Sequence, residues 1–184
     1  SQPQPQAEGL SGLMAEVLLS NRMQALTDMV TPGTVITDVG CDHGFVSVYL
    51  VQKGISPRVI AMDVRSGPLE HAREHIREYG LEDRIETRLS DGLHSLKTGE
   101  AAGMICAGMG GPLMEKILTE GREQAKGFRE LILQPQSEIP HFRTFLMEEG
   151  YLLMDENIIY EESKYYFMMK VRWLGEMSED AVRA

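Results

Sequence analysis

From Val35 onward the apolar residues alternate between two rhythms. Short apolar runs at 35–39, 58–62, 102–107 and 128–133 predict strands buried on both faces. The run at 84–89 alternates polar and apolar, as a half-covered strand does. Between these runs the apolar positions recur at helical spacing, over 45–51, over 66–79 with Leu69, Ala72 and Ile76 facing inward, over a segment opened by Pro112 and closed by Gly121, and over 139–149. Two long β-prone runs, 151–160 and 165–173, predict a closing antiparallel hairpin around Glu161-Glu162-Ser163-Lys164. Strand–helix alternation followed by a hairpin predicts an α/β fold: a mostly parallel, seven-stranded sheet with helices on both faces. Ahead of it, Leu10, Leu13, Met14, Val17 and Leu18 form a helical stripe. Ser20-Asn21 caps a second helix carrying Arg22, Met23, Leu26, Met29 and Val30, which ends at Thr31-Pro32-Gly33.

In a sheet of this kind ligands bind at the carboxyl ends of the strands, and the chain places its candidate chemistry there. Strand one ends in Asp38-Val39-Gly40-Cys41-Asp42-His43-Gly44. Asp38 and Asp42 put two carboxylates at a turn whose glycines, Gly40 and Gly44, let a ligand approach the backbone. The spacing lacks the G-x-G-x-x-G pattern of dinucleotide sites, and an aspartate inside the turn would repel a pyrophosphate. A sulfonium cation with an amino group, as in S-adenosylmethionine, is attracted instead. Asp63 ends strand two about 20 residues past the glycine turn, the distance from which an acidic side chain reaches ribose hydroxyls. Asp91-Gly92 follows strand three, where a carboxylate can hold an adenine amino group or simply form a turn. Gly108-Met109-Gly110-Gly111 follows strand four, and so many glycines at a strand end imply close approach of something large.

Composition narrows the partners. The chain has 184 residues, enough for one α/β domain, with 28 acidic and 18 basic residues and a net charge of −10. That balance argues against a broad salt-driven nucleic-acid surface, though not against a local basic patch. Two cysteines, Cys41 and Cys106, make no disulfide framework and point to a reducing, cytoplasmic setting. No apolar run is long enough for a transmembrane helix, and no membrane association is expected. Cys41, His43 and Cys106 have no metal-ligand spacing, and His71 and His75 lack an acidic third ligand, so no metal is expected. Residues 1–9, rich in Gln and Pro, read as a disordered leader or tag, 10–174 as the domain and 175–184 as a tail.

Five segments together carry a family resemblance: Leu19-Ser20-Asn21-Arg22-Met23, Asp38 to Phe45, Asp91-Gly92-Leu93, Ala107-Gly108-Met109-Gly110-Gly111 and Leu131-Ile132-Leu133-Gln134-Pro135. Over nearly all of 10–174 the chain resembles the bacterial tRNA adenine-N1 methyltransferases that act at position 22 of tRNA, the TrmK type. The resemblance implies a Rossmann-like class I methyltransferase sheet, S-adenosylmethionine as cofactor and tRNA as partner. By position, Asp38, Gly40, Asp42 and Gly44 would line the methionine part of the cofactor, Asp63 the ribose, and Asp91 with Gly92 the adenine. Gly108, Met109, Gly110 and Gly111 would form the floor toward the target base. Apart from the resemblance, Arg22 on its helix is the candidate for a phosphate contact, a plain surface arginine on a solvated helix being the alternative. Cys41 stands where a small hydroxyl residue is usual, and Asp63 where Glu is frequent. Family members continue into a helical C-terminal domain that is largely absent from this sequence.

The implied chemistry is methyl transfer to adenine N1, whose in-plane lone pair needs no deprotonation, so positioning matters more than a strong base. Asp42 would favour the cationic product; His43 would contact the base or cap the helix. A different RNA or small-molecule acceptor, a non-catalytic cofactor- or RNA-binding module, and a nicotinamide-dependent oxidoreductase are the competing readings.

Overall fold

The computed structural model describes residues 15–175. The helices are α1 (Asn21–Asp28), α2 (Phe45–Gln52), α3 (Ser66–Glu78), α4 (Gly111–Glu120), α5 (Arg122–Gly127) and α6 (Ile139–Glu149). The strands are β1 (Ile36–Val39), β2 (Val59–Asp63), β3 (Ile85–Leu89), β4 (Gly103–Met109), β5 (Glu130–Pro135), β6 (Tyr151–Glu161) and β7 (Lys164–Trp173). They form one seven-stranded sheet in the order β3-β2-β1-β4-β5-β7-β6. The first five strands run parallel, and β7 enters antiparallel between β5 and β6. This is the predicted mixed sheet, with helices on both faces.

Every residue of β1, β2 and β5 is buried, because crossover helices cover both sides of the parallel part. One apolar cluster, including Leu26, Val48, Leu50, Leu69 and Ile76, packs α1, α2 and α3 on one face. The other, including Met114, Ile117, Phe142 and Leu146, packs α4 and α6 on the opposite face. Each fully buried Leu, Ile or Phe there contributes about 1.5–3 kcal/mol of transfer free energy. Chain order reverses beside β1, which pairs with β2 on one side and β4 on the other. The carboxyl ends therefore splay into a crevice at that switch point.

Three expectations need correction. Residues 15–20 are irregular rather than helical, with Val17 buried at 3% exposure and Leu18 at 92%. The side chain of Gln52 pins this strap, accepting from the Val17 amide at 2.9 Å and donating to the Ala15 carbonyl at 2.9 Å. Tertiary hydrogen bonds thus replace the helical ones. Leu10, Leu13, Met14, the 1–9 leader and the tail beyond Gly175 lie outside the described residues. Second, α5 fills the stretch after Gly121, where only Ala125 is buried and no apolar period could announce it. Third, β4 runs on through Gly108 to Met109 with a bulge between Ala107 and Met109, so the glycine segment begins inside the sheet.

The hairpin forms where expected, around Glu162-Ser163. Both residues take positive φ, 50° and 64°, the pair of left-handed conformations that a tight two-residue turn imposes. Only Val171 to Met169 of β7 pair with β5. Lys164, Tyr165 and Tyr166 therefore project past the carboxyl end of β5.

Candidate active site

At the switch point the chain opens a cleft of about 630 Å³. It is lined from β1 and its turn by Asp38, Gly40 and Asp42, from the end of β2 by Asp63, and from the β3 loop by Asp91 and Gly92. The end of β4 adds Gly108, Met109 and Gly110, and α1 adds Arg22. Of the residues singled out from sequence, only His43, Gly44 and Gly111 are missing from the lining.

Asp38 lies at the bottom, 5% exposed, and accepts a hydrogen bond from Ser47 Oγ of α2 at 2.8 Å. Burial, with smaller contributions from the charges of Asp63 and Asp42, pushes its pKa up to about 6 against the pull of the Ser47 bond. A carboxylate so raised is held in readiness for a cationic partner. Asp63, 2% exposed, ties two loops together. Its Oδ2 accepts from the Asp42 amide at 3.0 Å, and its Oδ1 from the Arg65 amide at 2.9 Å and Arg65 Nε at 3.3 Å. A carboxylate has about four lone-pair sites, so Oδ2 can still accept from a ligand hydroxyl.

Asp42 takes a left-handed φ of 52°, which Asp tolerates better than most residues, and Asp63 clamps its amide. Its side chain is 57% exposed at the mouth, with Arg65 at 3.5 Å and His43 at 3.7 Å. Gly40, at φ 75°, lies beneath the Met109 methyl, and a Cβ there would collide with Met109 Cε. Gln134, 1% exposed, accepts from the Gly108 amide at 3.2 Å and donates to the Pro135 carbonyl at 3.1 Å, fixing the glycine segment from β5.

The three residues outside the lining have other roles in the structure. The His43 ring lies among Phe45, His71 and His75, with centroids 5.1 Å from His71, and its carbonyl bonds His75 Nδ1 at 2.8 Å. Gly44 caps α2, and a Cβ on it would press on Ala72 Cβ at 3.1 Å, so it sets the packing of α2 on α3. Gly111 meets the 137–138 backbone, where a Cβ would lie 2.6 Å from the Ser137 carbonyl. It closes the start of α4 against the β5 loop rather than forming the cleft floor.

Sequence reasoning did not pick out the apolar walls. Val64 is 60% and Leu113 46% exposed, both facing the cleft with Ile117. The signal was present, since Val64 directly follows Asp63 and Leu113 lies in the first turn of α4. Gln136 and Arg65 also line the cleft. Burial raises the pKa of both thiols, Cys106 to about 12, with nearby carboxylates adding to the rise at Cys41, which disfavours the nucleophilic thiolate. Among the described residues Asp91, His94 and Glu120 bring ligand atoms within 4.8 Å of one another, all at exposed positions. No described helix is long and apolar enough to cross a membrane.

A family model described as a methyltransferase domain matches residues 19–169. The chain is 37% identical over 153 residues to the tRNA (adenine(22)-N(1))-methyltransferase of Bacillus subtilis (strain 168), covering 83% of this chain and 64% of that protein. The crystal structure of B. subtilis TrmK, an m1A22 tRNA methyltransferase, superposes with a TM-score of 0.84 at 34% identity, over 90% of this chain and 70% of that one. M. capricolum TrmK in complex with S-adenosylhomocysteine superposes with a TM-score of 0.77 at 26% identity, over 85% and 70%. The chain spans less than two thirds of the curated B. subtilis relative. On the residues matched and the shared sheet, the chain belongs to the methyltransferase-domain family and is of the TrmK type.

Proposed function

We propose that the protein binds S-adenosylmethionine in this cleft and transfers its methyl group to N1 of an adenosine in tRNA, at position 22 by likeness to the B. subtilis relative. The observation that carries the reading is the desolvated Asp38 at the base of a cleft whose other acids stand at successive strand ends. The donor set fits the cofactor. Asp38 and Asp42 suit its amino and sulfonium charges, Asp63 retains an acceptor site for ribose, and Val64, Leu113 and Ile117 give apolar walls for a flat base beside Asp91. The cofactor supplies an electrophilic methyl group.

The chain's own residues then have positioning work. The Gly108–Gly110 segment, held by Gln134, leaves room for a target base to lie against the backbone beside Met109. The N1 edge is hidden in a base pair, so the adenosine enters unpaired or flipped out. No side chain has to remove a proton from N1. The product carries a positive charge, and Asp42 at the mouth lowers its energy modestly, since an exposed carboxylate already beside Arg65 is well screened. The proposed tRNA substrate and the two unpaired cysteines are our grounds for reading the activity as cytoplasmic.

The test is incubation with unmodified tRNA and methyl-labelled cofactor, followed by nucleoside analysis. 1-Methyladenosine at one site supports the reading. Cofactor binding with no transfer to any RNA would leave only a binding module, and stabilisation by NAD but not by S-adenosylhomocysteine would replace the cofactor.

A further inference from the structure

A second cleft, of about 450 Å³, adjoins the first and shares Arg22 and Gln136 with it. Its other walls are Gln134 at the end of β5 and Lys164, Tyr165 and Tyr166 at the start of β7. Its chemistry is the reverse of the acidic cleft: two cations, two amides and two phenol rings, with no carboxylate in the lining.

Arg22 is fixed in place before any ligand arrives. Its guanidinium lies 4.8 Å over the Tyr166 ring, and its Nε stands 3.6 Å from Glu161, whose other oxygen accepts the Asn21 amide at 3.0 Å. The terminal nitrogens have no partner among the described residues, and a guanidinium presents donors in a fork that suits phosphate. Lys164 is exposed beside it, and Tyr165, 66% exposed, leans on Tyr160 across the hairpin at 4.8 Å. Gln136 makes no side-chain hydrogen bond among the described residues and stands where the two clefts meet.

Cations combined with exposed aromatic rings, along a groove leading into a site for one base, match an unpaired RNA strand. Resting on the methyl-transfer reading above, we propose that this second cleft holds the single-stranded RNA segment flanking the target nucleotide. Lys164 and Arg22 meet its phosphates, Tyr165 stacks a neighbouring base, and Gln136 guides the target toward Met109. The local basic face explains how a chain with a net charge of −10 can hold a polyanion.

The experiment measures binding of an unmodified tRNA transcript by fluorescence anisotropy across a salt series, and of S-adenosylhomocysteine by calorimetry, for each variant. Lys164→Ala is expected to flatten the slope of log affinity against log salt by about 0.7, the value for one single-strand phosphate. Lys164→Glu weakens RNA binding further, and Tyr165→Ser weakens it about fivefold or more through lost stacking. Lys116→Ala, on an exposed α4 position lining neither cleft, leaves RNA binding unchanged. All four variants keep wild-type affinity for S-adenosylhomocysteine. Wild-type RNA affinity in both Lys164→Glu and Tyr165→Ser, an equal loss in Lys116→Ala, or no RNA binding by the wild type each overturns the proposal. Failure of the cofactor reading shows separately, in the calorimetry.

Discussion

Two neighbouring regions at one rim of the sheet are built on opposite terms. Over β1 and β2 the side chains that matter are carboxylates, and the two deepest, Asp38 and Asp63, are 5% and 2% exposed. They are fixed by Ser47 and by loop amides before a ligand arrives. Over β5 and β7 the side chains are cations, amides and phenols, and Lys164 and Tyr165 stand in solvent. The difference follows from what each can recognise. A small cation is held well by few, desolvated charges, because a low local dielectric strengthens each contact. A polyanion presents charge at intervals, and exposed groups meet it with little desolvation cost. Preorganisation on one side and accessibility on the other predict different responses to mutation.

The largest effect is expected at Asp38. Asp38→Asn keeps the shape and the Ser47 contact but removes the charge, and S-adenosylhomocysteine affinity should fall about thirtyfold or more, as for a lost charge-assisted hydrogen bond. The same change should stabilise the ligand-free protein. The folded pKa of Asp38, about 6, lies above the ordinary 3.8. Its contribution to stability is full below pH 3.8 and is lost as the pH rises through 6, a loss worth about 3 kcal/mol. Melting curves should therefore show Asp38→Asn gaining on the wild type between pH 4 and pH 7. A variant that binds normally, or that melts lower at pH 7, would break the contrast.

Next comes Gly40→Ala. The new Cβ meets Met109 Cε in a left-handed backbone, which together cost about 1–3 kcal/mol. Cofactor affinity should fall with stability as Met109 is displaced into the cleft. Adding Met109→Ala relieves the collision but not the dihedral strain, so the double variant should recover part of the melting temperature. No recovery would place the whole cost in the backbone.

A smaller effect follows from pH alone. The ammonium group of S-adenosylhomocysteine favours ionised Asp38, so its affinity should rise up to about tenfold per pH unit below 6 and level off above it. In Asp38→Asn the profile should be flat over that range. RNA binding at the second cleft should show salt dependence in place of this pH step.

The same contrast governs what was legible in the sequence. The acidic rim was readable because strand ends mark it: Asp38 and Asp63 stand at the ends of buried apolar runs, and Asp91 follows the alternating run of β3. Glycines were less specific. Gly40 serves the cleft, whereas Gly44 and Gly111 serve helix packing against Ala72 and Ser137, and spacing alone does not separate those uses. The basic–aromatic cleft was hidden, since Arg22, Gln136 and Lys164 are brought together by pairings of β5, β6 and β7 far apart in the chain. The strap at 15–20 misled for a related reason, as its apolar period is overridden by the Gln52 side chain.

The smallest predicted effect lies at the hairpin tip that carries Lys164. Glu162 and Ser163 occupy two consecutive left-handed positions, for which Asn-Gly is the favoured pair. Replacing them with Asn-Gly should stabilise the protein by about 1 kcal/mol, and raise its melting temperature by about 2–4 °C for a chain of this size. The cofactor cleft is built on other strands, so its affinity should not change. If the RNA groove depends on a rigid hairpin, tRNA affinity should hold or tighten slightly. A hairpin made more stable that bound RNA more weakly would mean the tip has to deform to admit the strand, and the contrast between a fixed acidic cleft and an open basic one would become a contrast between rigid and yielding halves.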